Sequence, residues 1–224
     1  MNGLPASGNC PECGEPIVAS TVEDKRQVPR WEQSPTPTIR DFASTTFDVL
    51  VHPTRFFRTL TTRGSAEPPR RFAGRHWIIS SVLFGCCAFF HADWYLGLSM
   101  NTRLPLFIKP TILLVVIIAT FYATVGITQL AAKLTNWEAT YRGLRMPITP
   151  VMRGMYYHAA HYLPVGFVAL ATIVSFTQAY NHGFLPATSA TTYLYVLCIE
   201  VVLGAVYLFQ TYWIAMRNMM YANR

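Results

Sequence analysis

The chain has 224 residues, of which 52% are hydrophobic and only 13% charged, and its formal net charge is +7. A soluble domain carries about 25% charged residues, so this composition argues against an ordinary soluble globular protein. The length allows a few membrane spans rather than many. The basic residues flank apolar runs, which makes anionic lipid their natural partner and sets nucleic acid aside.

Residues 1–37 read as a flexible tail. Pro5, Pro11, Pro16, Pro29, Pro35 and Pro37 interrupt any helix, and apolar residues are sparse. No apolar h-region occurs in the first forty residues, so no cleavable signal peptide is expected and the first span directs insertion. Inside the tail, Cys10-Pro-Glu-Cys13-Gly14 forms a Cys-x-x-Cys knuckle. Its two thiolates can grip a zinc ion, but structural zinc takes four ligands. The missing pair could be Cys10 and Cys13 of a second copy, or His52 or His76 could contribute. The plainer alternative is two free thiols. Cys86, Cys87 and Cys198 lie in apolar runs, so no disulfide framework is expected.

Residues 38–62 carry amphipathic, interfacial helices. Thr38 is suited to cap the first, with Asp41 favourable in its opening turn. Ile39, Phe42, Phe47, Leu50 and Val51 recur at roughly helical spacing. Pro53 is suited to start a second short helix, in which Phe56, Phe57 and Leu60 accompany Arg55 and Arg58. A basic, phenylalanine-rich helix of this kind belongs at a membrane surface.

A basic linker follows over 63–75, then a four-helix membrane domain over 76–216 and a short C-terminus over 217–224. The spans are expected at 76–98, 106–132, 155–178 and 192–216. Trp77 and Trp94-Tyr95 lie near the two ends of the first, where interfacial aromatics usually sit. Pro164 lies within the third. Sixteen of the Lys and Arg residues fall on one side of this arrangement and two on the other. The positive-inside rule then places both termini in the cytoplasm.

Ionisable groups within spans are costly and invite a functional reading. Asp93 and Glu200 are the acids there. His91 lies about 21 Å from the end of the first span and Glu200 about 24 Å from the end of the fourth, so His91, Asp93 and Glu200 share one level. His158 and His161 lie only about 5 to 9 Å into the third span, one turn apart on one face. Two groups therefore stand apart. The His91, Asp93 and Glu200 level could relay protons or cations, or simply pin the first span to the fourth. His158 and His161, with Tyr156, Tyr157 and Tyr162, could meet a metal or a lipid headgroup, or could be ordinary interfacial residues. No Gly-rich phosphate loop, Gly-x-Ser-x-Gly or His-Glu-x-x-His occurs, so no enzyme is expected.

Two elements carry a family resemblance. His52-Pro-Thr-Arg-Phe-Phe-Arg-Thr-Leu60 precedes a Trp-bearing first span. Later, a basic threshold with prolines opens Tyr156-Tyr-His-Ala-Ala-His-Tyr-Leu-Pro164. This order resembles the Yip1-domain membrane proteins, particularly bacterial ones with a Cys-x-x-Cys tail, over roughly residues 40 to 216. The resemblance implies a compact multi-span helical domain, often with five spans, and no catalytic residues. Eukaryotic members bind small GTPases and partner membrane proteins in vesicle traffic. The expectation is thus an all-α polytopic membrane bundle of about four spans with an N-terminal interfacial helix and a flexible tail. Its role would be a non-enzymatic scaffold or accessory subunit contacting lipid, other membrane proteins or its own copies. The alternative is a small transporter or channel-like protein using His91, Asp93 and Glu200.

Overall fold

The structure, a computed structural model, describes residues 8, 9, 26–99, 105–143, 147–185 and 189–220. The named elements are all helices: α1 Arg30–Gln33, α2 Ile39–Val51, α3 Pro53–Thr59, α4 Glu67–Ser99, α5 Lys109–Tyr141, α6 Ile148–His158, a 3-10 turn Ala159–His161, α7 Tyr162–Asn181 and α8 Ser189–Met220. Among the described residues, four segments are long and apolar enough to cross a membrane: Glu67–Trp94, Lys109–Tyr141, Ile148–Asn181 and Thr191–Met219. The protein is an all-α, multi-pass membrane protein.

Local chemistry explains most of the boundaries. Thr38 and Asp41 form a reciprocal capping box at the start of α2. The carboxyl of Asp41 is held below its ordinary value, first by the Thr38 backbone N–H and then by the Thr38 hydroxyl. Pro53 opens α3 at a position where its missing N–H costs nothing. Pro164 lacks an N–H, and its ring crowds the carbonyl four residues back, at Ala160. The helix tightens into its 3-10 turn over Ala159–His161, at that point, before resuming as α7.

Two expected boundaries differ. The basic stretch over 63–75 is mostly not a linker, because α4 begins at Glu67 and carries Arg70, Arg71 and Arg75 in its first turns. Prolines 68 and 69 are tolerated in an opening turn, and Glu67 pairs with Arg71 one turn on, at 3.2 Å. The boundary expected at 37 differs as well. From Arg26 onward the chain is placed, with Gln27 bridged to the backbone beside Leu60 and Trp31 fully buried. Residues 10–25, with Cys10 and Cys13, lie outside the described residues.

The described residues fall into two compact units. The first draws on Met1–Ala73, Thr128–Ala160 and Gln210–Arg224. Its core joins Trp31, Val49, Phe56, Phe57, Leu60, Phe72, Tyr157, Met216 and Met219 with alanines of α5 and α8. Phe56, Phe57 and Leu60 therefore face protein rather than a membrane surface, which corrects the interfacial reading of those three. Aromatic packing accounts for it: the Phe56 and Phe72 rings meet Tyr157 at 5.1 and 5.0 Å.

The second unit comprises Gly74–Ile127 and His161–Phe209. Trp77 is buried here, not turned outward as an interfacial anchor. Small residues set the helix spacing, as membrane packing favours. A Cβ at Gly85 would stand 2.5 Å from the Ile117 side chain and 3.0 Å from its backbone Cα, so α4 and α5 touch there. Gly85→Leu is expected to cost about 1–3 kcal/mol by forcing them apart, read as a lower melting temperature in detergent. Gly126→Ala, with open space around it, is the control and should be neutral or gain up to about 1 kcal/mol. An unchanged melting temperature for Gly85→Leu would refute the close contact.

Candidate functional site

In the first unit a buried ionic clamp is built around Arg153 of α6. Its side chain is 1% exposed and that of its partner Glu32 is 8% exposed. Arg153 Nη2 donates to both carboxylate oxygens of Glu32 at 2.9 Å. Tyr157, one turn further along α6, donates its hydroxyl to Glu32 Oε1 at 2.6 Å. The remaining guanidinium donors reach backbone: Nε to the Thr61 carbonyl at 3.3 Å, and Nη1 to the Ser65 carbonyl. Gly64, at φ 106°, turns the loop so that it wraps the guanidinium.

Beside the clamp, Trp31 is fixed from three directions. Its backbone N–H donates to Thr45 Oγ1 at 3.1 Å and its indole N–H to the Pro68 carbonyl at 2.7 Å. Its ring meets Phe42 and Phe72, each at 5.8 Å. The clamp thus ties the root of the N-terminal segment to α2, α4 and α6. Burying an ion pair is a poor way to gain stability, because desolvation offsets the attraction. What such a pair enforces is register: only one placement of residues 26–36 puts Glu32 on Arg153.

The expected polar level of His91, Asp93 and Glu200 resolves into separate contacts, all in the second unit. His91 Nδ1 lies 2.8 Å from the Tyr193 hydroxyl, joining α4 to α8. Asp93 accepts from Lys109 at 2.8 Å, joining α4 to α5. Thr172 donates to Glu200, joining α7 to α8. Glu200 therefore pins the third span to the fourth, and the expected link between the first and the fourth is made by His91 and Tyr193. Asp93 Oδ1 and Glu200 Oε2 are buried with no hydrogen-bond partner among the described residues.

The inner pair is divided between the units. In the first, His158 Nε2 lies 3.0 Å from Thr211 Oγ1, and its ring faces Tyr212 edge-on. In the second, His161 Nδ1 lies 2.8 Å from the Tyr207 hydroxyl. Both histidines are buried against α8 side chains, which corrects the interfacial reading of the pair. Among the described residues no group of three or more His, Cys, Asp or Glu could hold a metal ion. His52 is exposed at the α2–α3 junction and His76 is buried in α4.

In the sequence, Arg153 is one of the basic residues ahead of Tyr156, and nothing near it points to Glu32. The available signal was Trp31: a tryptophan inside a polar, proline-bearing stretch is costly unless it docks. Compared with protein-family models, curated proteins and solved structures, the chain matches none.

Proposed function

We propose that this is a non-enzymatic membrane scaffold that presents its N-terminal segment, with Cys10 and Cys13, to a partner from a fixed point at the cytoplasmic face of a bacterial inner membrane. The observation that carries the reading is the buried Glu32–Arg153–Tyr157 clamp, which holds the base of that segment against a membrane helix. A tail serving only as a tether would have no need of a tryptophan and a carboxylate sunk in a core. The excess of Lys and Arg in the N-terminal, middle and C-terminal polar stretches supports a cytoplasmic placement of both termini. The two elements that resemble the Yip1-domain proteins, His52 to Leu60 and Tyr156 to Pro164, pack together through Phe56 and Tyr157. The zinc reading of the knuckle then takes Cys10 and Cys13 from two copies.

The test is co-purification of the full chain in mild detergent, with elemental analysis. Wild type should recover a second copy or another membrane protein and carry zinc, and Cys10→Ser with Cys13→Ser should lose both. Recovery of the wild-type chain as a lone, metal-free monomer would overturn the scaffold and zinc readings together.

A second reading, a small transporter, is favoured by the buried, unmatched oxygens of Asp93 and Glu200. Glu200→Gln would abolish cation or proton flux in proteoliposomes if it holds. Equal flux from both proteins would sink it.

A further inference from the structure

The first unit has an outward face whose chemistry does not suit water. On α2, Ile39, Ala43, Phe47 and Val51 follow one another at intervals of four, so they form one stripe. Ile39 is 83% exposed, Phe47 58% and Val51 53%, and Ala43 is exposed as well. The opposite side of the same helix, at Thr45 and Val49, is buried in the core. A helix covered by protein on one side and apolar on the other is not a water-facing helix.

In the same unit α5 repeats the pattern. Ala132, Thr135 and Ala139 are buried, whereas Leu130, Leu134, Trp137 and Tyr141 are exposed. The helix has 33 residues, about 50 Å, against a hydrocarbon core of about 30 Å. Its last turns therefore reach headgroup depth. Trp137 and Tyr141 there are the side chains that settle at that level, with Lys133 and Arg142 alongside. Since α2 shares a core with this end of α5, the same layer is available to it. Exposed Arg40, Arg55 and Arg58 on α2 and α3 add the cationic complement of an anionic surface.

We infer that the Ile39, Ala43, Phe47 and Val51 stripe of α2 lies in the headgroup–acyl boundary of an anionic bilayer. The first unit is then an interfacial body held to lipid by this helix face, while Phe56, Phe57 and Leu60 hold its core. The inference stands apart from the scaffold reading, since a transporter could equally carry such a face.

The test places a photoreactive benzoylphenylalanine at position 47 of the full chain, reconstituted in vesicles of phosphatidylcholine with phosphatidylglycerol. Residue 47 is exposed, so the substitution leaves the core intact. The same label replaces Asp48, one position round the helix. Phospholipid adducts at 47, several-fold above those at 48 and enriched in phosphatidylglycerol, are the expected result. Adducts to a second copy at 47, or no lipid adducts above those at 48, would overturn the inference.

Discussion

Arg153→Met is expected to loosen the first unit more than any other single change at the clamp. It leaves the Glu32 carboxylate buried opposite an apolar side chain, and breaking a buried pair from one side costs about 3–5 kcal/mol. The carbonyls of Thr61 and Ser65 also lose their donor. The measurement is limited trypsin digestion of the protein in detergent, following cleavage at Arg26, Arg30 and Arg40. Cleavage of a transiently opened segment tracks its open population, so a loss of this size accelerates it by about a hundredfold or more. Glu32→Gln with Arg153→Met removes both charges. It should recover part of the loss and not all, because backbone carbonyls remain unmatched at about 1–3 kcal/mol each. Wild-type cleavage rates in Arg153→Met would refute the clamp.

Trp31→Ala is expected to cost about 3–5 kcal/mol, the usual range for emptying a buried aromatic site. The indole fills the space between Phe42 and Phe72 and donates to Pro68. Trp31→Phe keeps most of the ring contact and should lose about 1 kcal/mol with the indole hydrogen bond. Hydrogen exchange separates the outcomes. In Trp31→Ala the amides of α1 and α2 should exchange much faster, while those of α7 in the second unit keep their protection. Uniform loss of protection across both units would mean that Trp31 supports the whole protein and not the docking of one segment. Trp31 and Arg153 hold the same segment, so their effects should combine to less than their sum.

The sequence by itself determined the all-α membrane class and four apolar segments, because lipid leaves a spanning chain few ways to satisfy its backbone. It also determined two short-range features: the Thr38–Asp41 cap and the Pro53 helix start. Each depends on residues within a turn of one another. Tertiary structure alone decided which apolar and charged groups meet. Phe56 and Phe57 have the composition of an interfacial helix, yet they are buried, while Phe47 and Val51 take the outer side. Helical spacing gives the existence of a face but not the direction in which it is turned. Glu32 and Arg153 are 121 residues apart, and nothing local pairs them. The same holds for His91, Asp93 and Glu200, which share a depth but take their partners from neighbouring helices. Depth follows from counting residues along a span, whereas partners depend on rotation and packing, which only the assembled helices fix.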